Sequence, residues 1–113
     1  MKETGNLRQI AEELKKIKSA VIFTHTRPDG DTLGSGVALF FALSALGVRC
    51  EICNDSDIPE KFVFLRGIER MQKSPASADA EAYIAVDSSD EARLGELGEL
   101  FARAKGKKRT FNI

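Results

Sequence analysis

The chain has 113 residues, 42% of them hydrophobic and 30% charged, enough for one small packed domain and too few for two. Lysine plus arginine and aspartate plus glutamate each total 17, so the zero net charge excludes a general field that would draw in nucleic acid or an anionic membrane, and any recognition of phosphate must be local. The N-terminal stretch lacks the apolar core of a signal peptide, which makes the cytoplasm the expected location.

In chain order, Leu7, Ile10, Ala11, Leu14 and Ile17 recur at helical spacing and predict an amphipathic first helix, with Asn6 available as its N-cap. Residues 20–24 are β-branched and aromatic and predict a buried strand. Pro28, Asp29 and Gly30 then supply turn chemistry, Pro28 fixing φ and Gly30 permitting a positive φ. Residues 33–46 are almost wholly apolar, yet they fall short of the roughly 20 a bilayer requires and contain Gly34 and Gly36; they predict a buried helix, ended by Gly47 at C′, and no membrane association. Residues 48–53 predict a second strand. Cys50 and Cys53 have a C-x-x-C spacing, but three apart on a strand they point to opposite faces and read as buried free thiols.

Residues 54–59 form a polar loop, and 61–67 predict a short helix carrying Phe62, Phe64 and Leu65 into the core, with a bent extended segment as the alternative. Residues 74–80 are a loop of small residues, and Tyr83, Ile84, Ala85 and Val86 predict a buried strand that delivers Asp87. Ser88, Ser89 and Asp90 supply an N-cap for a helix over about 91–104. The basic run of Arg103, Lys105, Lys107, Lys108 and Arg109 contains no acid and reads as a solvated helix end. Residues 109–113 begin another strand, whose unfinished edge offers a route to self-association. Strand and helix alternate, so the expected architecture is α/β, a three-layer, open, mainly parallel sheet with helices on both faces.

In such sheets ligands gather outside the carboxyl ends of the strands. His25, the only histidine, and Asp87 fall at that edge on different strands, with Asp29 and Asp31 in the loop after the first. Three carboxylates held close together repel unless one is protonated or a cation sits among them. A divalent metal is the simpler answer, and an imidazole among carboxylates suits manganese, iron, cobalt or zinc better than magnesium. Each residue also has a structural reading: a plain turn for Pro28, Asp29 and Gly30, an N-cap for Asp31, a strand-end acid for Asp87, a core histidine for His25. Gly34 and Ser35 near the helix start would let a phosphate approach exposed N–H groups, or Gly34 and Gly36 would permit close helix packing. Neither G-x-G-x-x-G nor the P-loop pattern occurs.

The string His25, Thr26, Arg27, Pro28, Asp29, Gly30, Asp31, followed by Leu33, Gly34 and Ser35, resembles motif I of the DHH phosphoesterases of the RecJ-like superfamily. The stretch from Ala82 through Asp87 to Asp90 resembles motif II. The branch it most resembles is that of the oligoribonucleases and 3′-phosphoadenosine 5′-phosphate phosphatases, with cyclic-dinucleotide phosphodiesterases as an alternative. The resemblance implies a Rossmann-like DHH domain and a metal-dependent hydrolase of short oligonucleotides or nucleoside bisphosphates, hence nucleic-acid binding. It implies two metal ions, usually manganese with other divalent cations also able to serve: His25 and Asp29 would hold the first, Asp31 the second, and Asp87 would bridge them, making Asp29, Asp31 and Asp87 catalytic. Gly34 and Ser35 would receive the substrate phosphate. Motif III, the Asp-His-His of the family, would follow Ile113. The expectation is therefore the N-terminal portion of a DHH domain without motif III or the C-terminal substrate-binding domain, binding at most one manganese ion tightly and with negligible turnover. Two readings from other classes stand beside it, a receiver-type signalling module and a non-catalytic domain, metal-binding or metal-free.

Overall fold

One sheet of six parallel strands organises the computed structural model, which describes residues 2–3, 7–24, 30–76, 79–86 and 109–113. The strands are β1 (Lys2–Glu3), β2 (Ser19–Thr24), β3 (Arg49–Cys53), β4 (Met71–Gln72), β5 (Ala82–Val86) and β6 (Arg109–Asn112), and the helices are α1 (Leu7–Leu14) and α2 (Gly30–Ala45). The order across the sheet is β1-β6-β5-β2-β3-β4, every neighbouring pair running parallel. Parallel neighbours require crossovers. Those through α1 and α2 both step in the same direction along the sheet, so right-handedness puts both helices on one face. The packing agrees: Ile10 and Leu14 of α1 and Val37, Phe40 and Leu43 of α2 share one cluster with Ile22, Ile52, Ile84 and Phe111.

Strand alternation sends the intervening residues to the opposite face, where Val21, Phe23, Cys53, Tyr83 and Ala85 form a second buried cluster. The Phe23 and Tyr83 rings meet edge to face there, 5.0 Å between centroids at 81°, an arrangement worth about 0.5–1.5 kcal/mol beyond the area buried. The helix expected over about 91–104, which would supply the layer on this face, lies outside the described residues.

The apolar run after the Pro-Asp-Gly turn is helical from Gly30 and buries one side only; Phe41 is exposed on the other, so α2 is half-buried where a fully buried helix was expected. Gly30 itself is helical and does not take the positive φ that turn chemistry suggested; among the described glycines only Gly47 and Gly67 do. Gly47, at φ 88°, closes α2 as expected. Its N–H donates to Ser44 O and that of Val48 to Leu43 O, both at 3.0 Å, the paired bonds that satisfy the last helix carbonyls. Ala11 departs from the first helix's expected buried stripe and faces solvent.

Residues 61–67 correct the sequence reading most. A three-residue 3-10 turn, Glu60–Phe62, replaces the expected helix, and Phe64 is 78% exposed instead of entering the core. The segment runs beside α2: Phe62 lies against Gly30, and Gly67, at φ 94°, sits so close that an added Cβ would fall 2.8 Å from the Phe41 ring. A second 3-10 turn, Ile68–Arg70, then leads into β4. At the other side of the sheet, β6 is not left bare: β1 pairs with it through Lys2 opposite Thr110 and Glu3 opposite Phe111. Arg109, the end of the basic run, pairs with Glu13 of α1 and lies over the Phe111 ring, so that charge has a partner in space that it lacks in sequence. Among the described residues no helix is long and apolar enough to cross a membrane.

Candidate functional site

Strand order creates the site. β2 is flanked by β3 on one side and β5 on the other; the chain leaves β2 through α2 towards β3, whereas β5 continues to β6 in the opposite direction. The gap above β2 and β5 is thus the topological switch point, where open parallel sheets hold their ligands. Thr24 and Val86, the last residues of these strands, are register partners. His25 follows one in the chain and Asp87 the other.

Of the residues singled out in sequence, Asp31, Gly34 and Ser35 are described; His25, Asp29 and Asp87 lie outside the described residues. Asp31 is the second residue of α2 and exposed, inside the first turn and not at the cap. Ser35, four residues on, is exposed on the same helix face, with Gly34 half-buried beside it. The two glycines differ in role. A Cβ on Gly36 would come within 2.8 Å of Thr24 Cγ2 and 3.2 Å of Ile52 Cδ1, so Gly36 allows α2 to lie close on the sheet. A Cβ on Gly34 would meet nothing within 4 Å among the described residues, so contact with those residues does not account for it. The helix start therefore presents an open, small-residue face beside an acid, with backbone N–H groups and the positive end of the helix dipole.

Beneath this edge lies a buried polar chain that sequence alone does not single out. Thr24 and Asn54 are both fully buried. The Asn54 amide donates from Nδ2 to Thr24 Oγ1 at 2.8 Å, and Thr24 Oγ1 donates to Cys53 O at 2.8 Å. Asn54 Oδ1 accepts from Ser56 N at 2.9 Å and Ser56 Oγ at 2.6 Å. The only sequence signal for Asn54 is its position opening a polar loop, which says nothing of burial.

Cys50 and Cys53 point to opposite faces, Cys50 packing on the helix side and Cys53 within the other cluster. Burial pushes the Cys53 thiol up to about 12, the nearby Glu51 charge adding to the effect, and the Cys50 thiol up to about 11. Neither is a ready metal ligand or nucleophile. Among the described residues no three His, Cys, Asp or Glu side chains come together as a metal group. A cavity of about 310 Å³ opens at the opposite edge of the sheet, near Ser19, Arg49, Glu51 and Asp79, away from the strand ends that carry the motif.

No protein-family model matches the chain. The chain is 35% identical over 94 residues to the bifunctional oligoribonuclease and PAP phosphatase NrnA of Thermus thermophilus, an alignment covering 78% of this chain and 27% of that protein. Its backbone superimposes with a TM-score of 0.81 on the crystal structure of an exopolyphosphatase-related protein from Bacteroides fragilis, at 18% identity, over 94% of this chain and 33% of that one. The class defined by fold and motif is an α/β domain with a ligand edge at the switch point. The sequence similarity supports the DHH, or RecJ-like, superfamily, and the structural likeness shows the fold. The chain spans about a quarter of the length of the curated relative it matches.

An imidazole with three carboxylates is a donor set that fits a divalent cation, and the residues preceding His25 and Asp87 lie side by side at the switch point.

Proposed function

We propose that the chain carries part of the metal cradle of a phosphoesterase acting on short oligonucleotides or nucleoside bisphosphates. One observation supports this most directly: Thr24 and Val86, which precede His25 and Asp87 in sequence, are register partners at the switch point. His25 would supply a neutral nitrogen and Asp29 and Asp87 two charges to a manganese ion; Asp31 would serve a second position. A bound divalent cation supplies Lewis acidity towards the phosphoryl group and its attacking water. The chain's own part is to hold those donors and orient the substrate. Ser35 would donate its hydroxyl to a phosphoryl oxygen, and the absent side chain of Gly34 would leave the helix N–H groups within reach. The oligonucleotide or bisphosphate substrate is carried over from the Thermus relative, a bifunctional oligoribonuclease and PAP phosphatase 35% identical over 94 residues.

The 113 residues contain a single histidine, so this donor set holds one ion tightly and turnover by two-metal chemistry needs donors beyond the four. Calorimetry with Mn2+ should find one tight site, lost in Asp29→Ala and in Asp87→Ala. Two tight sites, or vigorous phosphate release from a nucleoside bisphosphate by these residues alone, would overturn the reading. In a longer form carrying further donors, the same two variants should abolish metal-dependent hydrolysis.

A further inference from the structure

We infer that Thr24 and Asn54 are positioning residues for His25, an inference that rests on the metal-cradle reading and adds to it the pair that fixes where the cradle begins. The polarity of their hydrogen-bond chain is forced. Ser56 N can only donate, so the Asn54 oxygen must face it, which turns Nδ2 towards Thr24. Cys53 O can only accept, so the Thr24 hydroxyl proton must point there. The donor and acceptor roles along the chain from Ser56 to Cys53 O are thereby set.

Thr24 is fixed from three sides. Its hydroxyl is tied to the end of β3 and to Asn54, its methyl lies against Gly36 of α2, and its backbone is in register with Val86 of β5. Asn54 is anchored in turn, its backbone N donating to Gln72 O of β4 at 2.8 Å and its side chain holding the turn at Ser56. Four strands and one helix thus converge on the residue immediately before His25. A donor must be held within about 0.5 Å of its working position to bind well, and an apolar pair at 24 and 54 would fill the same space without fixing an orientation. Ser19 and Thr110 are also buried in the sheet, but the Thr24 and Asn54 side chains bond to each other at the carboxyl ends of β2 and β3, and the positioning role explains that link.

The single histidine makes the test direct, because its ring signals in NMR belong to one residue. Titrated with Mn2+, they should broaden at low metal concentration in the unsubstituted chain. Thr24→Val, nearly isosteric but without the hydroxyl, should raise the metal concentration for half-broadening about tenfold, the scale of lost ligand support elsewhere. Thr24→Ser should remain within about twofold, since it restores the hydroxyl. Ser56→Ala, which removes one bond of the chain and leaves the core untouched, should shift it about two- to threefold and stands in if Thr24→Val fails to fold. Leu43→Ala, a core truncation on the helix side, should lower the melting temperature and leave the broadening unchanged. Unaltered broadening in Thr24→Val and Ser56→Ala, or an equal loss in Leu43→Ala, would overturn the positioning role while leaving the metal reading intact. Absence of broadening in the unsubstituted chain at millimolar Mn2+ would overturn the metal reading and this inference with it.

Discussion

Single residues in this chain divide between those whose role is announced locally and those whose role depends on distant partners. Gly67 belongs to the second kind. Its φ of 94° and the Phe41 ring 2.8 Å from an ideal Cβ give Gly67→Ala two penalties at once, backbone strain and a clash; a loss of about 1–3 kcal/mol is expected in urea denaturation. The thiols set a pH dependence. Cys50 and Cys53 titrate near 11 and 12 when folded against about 9 when unfolded. Between pH 9 and 11 the unfolded chain therefore sheds protons that the folded chain keeps, and stability falls as pH rises through that window. Urea midpoints taken at successive pH values should show the decline, and the double variant Cys50→Ala, Cys53→Ala should flatten it even though it starts less stable. Tyr83 is also shifted upward by burial and leaves some slope behind. The C-x-x-C spacing was enough to reject a shared metal, because opposite-face alternation is a property of any strand. The Thr24 and Asn54 pair was not legible, because the two lie 30 positions apart and nothing local marks a buried threonine or asparagine.

At the scale of elements, α2 offers the sharpest contrast. Gly36→Ala would drive a methyl into Thr24 and Ile52 and should cost about 1–3 kcal/mol, whereas Gly34→Ala places one in open space and should stabilise the helix by up to about 1 kcal/mol. If Gly34 keeps the helix start open for phosphate, that more stable variant should also bind nucleotide phosphate more weakly. Equal binding by a stabilised Gly34→Ala would remove the phosphate role. The helix was legible from its apolar content and from Gly47, since both signals are contained within the element. Its start was misplaced because Gly30 suits a turn as well as a first helical residue. The 60–67 segment was misread for a related reason: Phe62, Phe64 and Leu65 suggested burial, but the turn at Glu60–Phe62 and the positive φ at Gly67 lay the chain along α2 with Phe64 outward. Two-residue strands such as β1 and β4 carry no periodicity from which to be found.

For the molecule as a whole, alternation of strand and helix was sufficient to predict a parallel α/β sheet, but not its order. Order is a matter of long-range pairing, and it is order that makes the gap between β2 and β5 the switch point. It also gives β6 two neighbours, so the outer strand on that side is β1. Removing residues 1–5 should bare the β6 edge and produce concentration-dependent association in light scattering, which the intact chain should resist. β1 joins residues more than a hundred positions apart to Thr110 and Phe111. During synthesis the first strand must therefore wait unpaired until almost the entire described chain has emerged from the ribosome. The sheet's outer margin is the last part able to form, and amide exchange at Lys2 and Glu3 would report completion of the fold.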